Sequence, residues 1–338
     1  MNVRRRRISG IAVTAATAIG LGTLSACSSD SSAAGNTDKF DVVASFYPMQ
    51  YLAEQIGGDH VNVTSLTEPG QEPHDLELSA KQTAQMGEAD AVLYLKSLQP
   101  AVDEAIAQSD VKTKIDAAGL TKLEDHGNVE HDHGGEEHSE GEHAEEDAHA
   151  EEEHAEEEHA EEGEHALDPH VWLDPVKYAE IAEGVAKSFE KADPDHADDY
   201  RKNADALAKK LGGLDTAYKD GLKSTDTKVF FTNHAAFGYL AERYGLTQEA
   251  INGLDPESEP SPARIKELQT EAKADGVTTV FYETLVSDKT AKTLAKDAGL
   301  KTDVLDPLEG ITDKSKGDDY LAVMESNLKA LETALGAK

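Results

Sequence analysis

The chain has 338 residues, enough for two domains at roughly 100 to 200 residues each, so its cores need no covalent staples. Its 67 Asp and Glu against 32 Lys and Arg give a formal net charge of −35, which repels phosphate backbones and excludes nucleic acid as a partner. A single Cys excludes an intramolecular disulfide and any Cys-based zinc ribbon.

Met1 to Arg7 is basic, with Arg4 to Arg7 consecutive, and Ile8 to Leu24 is an apolar run softened by Ala, Gly and Thr. This pattern reads as an export signal; an uncleaved span is the alternative, for which about 17 weakly apolar residues are marginal. Leu24-Ser25-Ala26-Cys27 resembles the lipobox of bacterial lipoproteins. That resemblance implies a diacylglyceryl anchor on Cys27 and an extracytoplasmic location at the bacterial cell membrane, held by two acyl chains at about 0.8 kcal/mol per buried methylene. Residues 1–26 are therefore expected to be a signal peptide, and residues 27–38, rich in Ser, Ala, Gly and Asn, a flexible linker.

From Phe40 onward short β-like runs alternate with helical stretches, the pattern of parallel sheets built from βα units. Strands are predicted at Asp41–Phe46, Val61–Leu66 and Ala91–Leu95, with helices at Met49–Ile56, Ala80–Glu88 and Val102–Ala107. Residues 124–165 then hold 20 Asp and Glu, no Lys or Arg, and nine of the 14 His, so −20 of the −35 sits in one segment and −15 is left for the rest. A helix at Pro175–Lys191 stops at Asp193-Pro194, and Ala197–Leu222 would extend about 39 Å as one helix, with Gly212-Gly213 a place for a kink. A second series follows: strands Val229–Thr232, Gln248–Ile251, Val277–Tyr282 and Lys301–Leu305, and helices Ala235–Tyr244, Pro262–Ala274, Lys289–Ala298 and Tyr320–Leu335. The expected fold is α/β, with two similar lobes, each a parallel sheet flanked by helices. The N-terminal lobe covers 39–194, a bridging helix 195–222, and the C-terminal lobe 223–338. Ligands of such sheets sit beyond the carboxyl ends of the strands, here in the cleft between lobes.

Four residues fall at that edge. His74 lies in the loop after the strand ending at Leu66, His170 precedes a helix between Pro169 and Pro175, His234 follows the strand ending at Thr232, and Glu309 follows the strand ending at Leu305. A lone loop histidine is more often a surface group than a ligand. Together, three imidazoles and one carboxylate, two per lobe, make the usual donor set for a borderline divalent ion such as Zn²⁺ when thiolate is absent. Glu283, after the strand ending at Tyr282, rivals Glu309 as a ligand, as an acceptor for an imidazole N–H, or as a surface acid. Asp168, Asp174 and Asp306 each adjoin a Pro and read as turn or capping residues, or as groups that orient an imidazole. Trp172 reads as core packing, and His60 and His196 as exposed surface residues.

Pro73-His74-Asp75, Asp168-Pro169-His170-Val171-Trp172-Leu173-Asp174-Pro175 and His234-Ala235-Ala236-Phe237 together resemble the ligand motifs of the cluster A-I metal-binding solute-binding lipoproteins of ABC transporters, over essentially everything from Phe40 to the C-terminus. His234 resembles the zinc branch, the ZnuA- and AdcA-like proteins, where manganese-binding relatives usually carry Glu. Leu305-Asp306-Pro307-Leu308-Glu309 resembles the variant in which Glu supplies the fourth ligand. The resemblance implies a non-enzymatic, monomeric zinc receptor that hands its ion to a permease with its ATPase. A zinc hydrolase and a surface metal-storage or adhesin lipoprotein are the alternatives from other classes.

His126, His131, His133, His138, His143, His149, His154, His159 and His165 are strung through Glu-, Ala- and Gly-rich sequence at spacings that do not keep one helical face. So much like charge with so little apolar content predicts a disordered loop over 124–167. Its imidazoles and carboxylates are expected to collect metal for the cleft; the plainer alternative is a solvated spacer.

Overall fold

The computed structural model describes residues 39–126 and 167–338. Residues 1–38, with Cys27, and the insertion histidines other than His126 lie outside the described residues.

The first sheet is formed by β1 (Phe40–Ala44), β2 (Val61–Ser65), β3 (Ala91–Tyr94) and β4 (Thr113–Asp116), in the order β2-β1-β3-β4 and parallel throughout. The intervening helices are α1 (Tyr47–Gly57), α2 (Ala80–Glu88) and α3 (Pro100–Gln108). The second sheet repeats the plan with β5 (Val229–Thr232), β6 (Thr247–Ala250), β7 (Thr279–Tyr282) and β8 (Lys301–Val304), ordered β6-β5-β7-β8. Its helices are α6 (Gly238–Tyr244), α7 (Pro262–Ala274), α8 (Lys289–Ala298) and α9 (Tyr320–Leu335). Between the two series lie α4 (Pro175–Ala192) and α5 (Ala197–Leu222). In each sheet the chain reverses its direction of winding beside the first strand, which opens a crevice between the first and third strands.

Local chemistry sets several of the boundaries. Ser79 and Gln82 close a reciprocal capping box on α2, Ser261 caps α7 ahead of Pro262, and Asp319 caps α9. Asp174 accepts from Val176 N at 2.8 Å and caps α4, with Pro175 in its first turn. α5 is one continuous helix through Gly212-Gly213. Leu207, Leu211, Leu214 and Tyr218 carry its buried stripe past the glycines, and that packing outweighs a cost of roughly 1 kcal/mol per glycine.

The lobes share a core. Phe46 packs edge-on against Trp172 with ring centroids 5.0 Å apart, and Trp172 Nε1 donates to Pro307 O at 2.7 Å. The hydroxyls of Tyr178, Tyr218 and Tyr320 donate to the carbonyls of Pro48, Met324 and Trp172 at 2.6, 2.7 and 2.6 Å. Each buried aromatic thus keeps its polar atom paired while its ring fills the interface. Among the described residues no helix is long and apolar enough to cross a membrane.

Candidate metal centre

His74 stands in the loop between β2 and α2, His170 directly before the 3-10 turn Val171–Leu173 that leads into α4, His234 two residues past β5, and Glu309 five residues past β8. The fold brings all four together, with one donor atom from each lying within 4.8 Å of the others. Glu309 Oε1 is the hub, 3.2 Å from His74 Nε2, 3.2 Å from His170 Nε2 and 3.3 Å from His234 Nε2, while the last two nitrogens are 3.3 Å apart. Zinc bonds of about 2.0–2.1 Å at tetrahedral angles put neighbouring donors about 3.3–3.4 Å apart, and these four spacings fit that value. The side chains of His170, His234 and Glu309 are fully buried, and that of His74 is 13% exposed, so the approach from solvent passes His74.

Two imidazoles are aimed from behind. His170 Nδ1 donates to Asp168 Oδ1 at 2.8 Å, and His234 Nδ1 donates to Glu283 Oε1 at 2.6 Å. A proton fixed on Nδ1 leaves the Nε2 lone pair facing the centre, the usual arrangement behind a metal-bound histidine. Glu283, rival for the fourth position, therefore sits on the far side of the His234 ring from the cage, and Glu309 sits inside it. Glu309 Oε2 is buried with no hydrogen-bond partner among the described residues, an acceptor that a cation would satisfy.

Backbone strain aims Glu309. Leu308 has φ 62, a left-handed conformation that costs a non-glycine residue about 1–3 kcal/mol and tends to persist where function requires it. The turn is held by Leu308 N donating to Asp306 Oδ1 at 2.9 Å, and by Asn327, which accepts from Asp306 N and donates to Asp306 O. Burial pushes the Asp306 carboxyl up to about 6 against the pull of that Leu308 N–H. Asp174, besides capping α4, accepts from Arg243 Nε of α6 at 2.8 Å and ties the lobes together behind the centre.

The charges at the centre compensate one another. Burial opposes charging His170 and His234, yet Asp168 and Glu309 raise the first and Glu283 and Glu309 raise the second well above the usual imidazole range. Burial works against ionised Glu309 too, but the three rings hold it well below the usual carboxylate range. Protons on the imidazoles balance the carboxylates that would otherwise face a metal ion.

Several sequence expectations need correction. α6 begins at Gly238 and not at Ala235, because Ala235 N is bonded to Gly253 O and Phe237 N to Gln248 Oε1, contacts from distant segments that hold His234 to Phe237 in a loop. His60 and His196 are half-buried, with rings stacked 4.0 Å apart and held by Asp199 and Asp193. His126 is pinned against Asp168 and Glu242, so the ordered chain continues past 124, where a disordered loop was expected to begin. Glu72, which sequence reasoning passed over, has a buried Oε1 with no partner among the described residues; burial and then Glu309 raise its carboxyl. Its place two residues before His74 was the available signal.

Residues 42–334 match the family model described as zinc-uptake complex component A, periplasmic (ZnuA). The chain belongs to the ZnuA family. The zinc-binding lipoprotein AdcA of Streptococcus pneumoniae (strain TIGR4) is 41% identical over 318 residues, covering 91% of this chain and 58% of AdcA. The chain thus spans somewhat over half the length of AdcA. The high-affinity zinc uptake system protein ZnuA of Bacillus subtilis (strain 168) is 36% identical over 339 residues, covering 98% of this chain and 99% of that ZnuA. The solved structure of the Zn(II)-bound ZnuA-like domain of S. pneumoniae AdcA superposes with a TM-score of 0.68 at 36% identity, over 88% of this chain and 99% of the domain. Two parallel four-stranded sheets flanked by helices are therefore the ZnuA arrangement as well as the one expected from the sequence.

Proposed function

We propose that this chain is the extracytoplasmic zinc receptor of an ABC importer. His74, His170, His234 and Glu309 replace the hydration shell of a Zn²⁺ ion that is cargo, and the ion-loaded cleft is what the permease recognises while its ATPase drives uptake. The observation that carries the reading is the spacing of 3.2–3.3 Å between Glu309 Oε1 and three Nε2 atoms, which fits zinc bond lengths. Membership of the ZnuA family supports zinc as the ion.

In the same reading Cys27 carries the lipid anchor, residues 1–26 are removed, and the receptor acts as a single copy outside the cell membrane. The insertion histidines collect zinc at modest affinity and lose it to the rigid centre. A hydrolase needs an open coordination position, whereas four protein donors close a tetrahedral ion, so binding is the function. Metal analysis and zinc titration of the full chain test this. One tight equivalent is expected, lost in His234→Ala and in Glu309→Gln. A tight equivalent that survives both substitutions, or zinc-dependent hydrolysis abolished by His234→Ala, would overturn it.

A further inference from the structure

Outside the cleft a second set of metal-binding side chains converges: Glu124, His126 and Glu242 each offer a donor atom, all within 4.8 Å of one another. The His126 ring is set up as the His170 ring is. Its Nδ1 lies 3.1 Å from Asp168 Oδ2 and its Nε2 2.9 Å from Glu242 Oε2. His170 uses the other oxygen of that aspartate, with Nδ1 2.8 Å from Asp168 Oδ1 and Nε2 3.2 Å from Glu309. One fully buried carboxylate thus orients two imidazoles, each presenting its far nitrogen to a glutamate.

The placement of His126 is built in. The ring meets Tyr239 edge-on at 4.4 Å, and the Tyr239 hydroxyl accepts from Glu124 N and donates to Asp168 O, both at 2.8 Å. Asp168 N donates to Glu124 O at 2.9 Å, closing the two stems of the insertion onto each other. A Cβ on residue 238 would fall 2.3 Å from His126 Cβ, so glycine there is what lets the ring seat. Beside it opens a cavity of about 470 Å³ whose wall includes His126, Glu242, Glu249 and Glu271. The one guanidinium of that wall, Arg264, is held by Glu249 at 2.6 Å and Glu267 at 3.1 Å, so the cavity presents negative charge to an arriving cation.

We propose that Glu124, His126 and Glu242 form a second divalent-cation site at the root of the histidine-rich insertion, joined to the cleft centre through Asp168. It is the weaker of the two, because the Glu242 side chain is 58% exposed and Lys177 holds Glu124 Oε1 at 3.0 Å. A cation on His126 Nε2 fixes the Nδ1 proton toward Asp168, so the same carboxylate that aims His170 at the centre supports the station before it.

The inference deepens the zinc-receptor reading and rests on it for the choice of Zn²⁺ as probe. The test uses the full chain with the other eight insertion histidines, His131 to His165, replaced by Ser, titrated with Zn²⁺ by calorimetry and by metal analysis. Two steps are expected, the second at least tenfold weaker than the first. Glu242→Gln, an exposed substitution that puts no fold at risk, and His126→Ala should each weaken the second step at least tenfold and leave the first within twofold. A single step, or a second step indifferent to both substitutions, would overturn the site; binding by the insertion's own carboxylates would give that indifferent result. A tight step surviving His234→Ala would instead overturn the cleft reading and leave the second step to be judged on Glu242→Gln alone.

Discussion

Replacing Glu283 with Gln separates a residue that supports a ligand from one that is a ligand. The carboxylate lies 2.6 Å from His234 Nδ1, and both side chains are almost wholly buried, at 2% and 0% exposure. Gln keeps the shape and can still accept the Nδ1 proton, but it removes the charge that makes the ring a better donor. Loss of such a partner typically weakens metal binding 10- to 100-fold, about 1.4 to 2.8 kcal/mol. The short contact in a dry setting places this pair toward the upper end. Glu309→Gln should cost at least a further tenfold, since it replaces a charged donor that stands within 3.3 Å of three imidazole nitrogens. The assay is competition against a zinc chelator of known affinity at pH 7.5, with unfolding of the zinc-free variants measured in parallel. Zinc affinity within twofold of the parent for Glu283→Gln, or a larger loss there than for Glu309→Gln, would refute the assignment of the two acids.

Acid should weaken zinc capture, because His170 and His234 hold protons above the usual imidazole range and must release them to ligate; titrations that show no weakening between pH 7.5 and 5.5 would contradict this. The zinc-free protein should respond in the opposite sense: raised histidines contribute stability that is complete below about pH 6.5 and lost as pH rises through their folded values, which urea unfolding with a chelator present would detect. Asp174→Ala removes the cap of α4 and the partner of Arg243, and should destabilise by roughly 2 to 3 kcal/mol, read as a fall in the urea midpoint. Trp172→Phe leaves Pro307 O without its buried donor and opens space in the shared core, for a loss of about 2 to 4 kcal/mol by the same measurement; a shift under 0.5 kcal/mol would show that the interface repacks freely.

The alternation of strands and helices was legible because both lobes use short apolar strands separated by helices, with Asp174 beside Pro175 a cap readable from its position. β4 went unseen because Thr113, Lys114 and Asp116 surround a single buried Ile115, as expected for a strand at a sheet edge. The three histidines were legible from their position at strand ends. Position alone did not order Glu309 and Glu283, since both follow a strand of the same sheet; the family resemblance favoured Glu309, and the fold sets Glu283 behind His234 at its Nδ1. His126 was hidden by its surroundings: in a segment of uniform composition, nothing local distinguishes the one histidine whose neighbours, Asp168 and Glu242, arrive from 42 and 116 residues away.

Under the proposed function the protein must both hold an ion and surrender it, and these two demands fall on different parts of the geometry. Holding the ion is favoured by donors already near zinc spacing, so little reorganisation opposes entry, and by carboxylates that fix two of the rings. That preorganisation depends on the shared aromatic core, because His74 and His170 come from one side of it and His234 and Glu309 from the other. Release must then act on the same division. A partner that parts the lobes by even an ångström or so separates Glu309 Oε1 from His74 and His170 together, and a tetrahedral ion stripped to two donors exchanges readily with water. The aromatic seam at Trp172 lies in the core that the lobes share, so, on the proposed zinc-receptor reading, variants of that residue should be tested for zinc release and not only for zinc affinity.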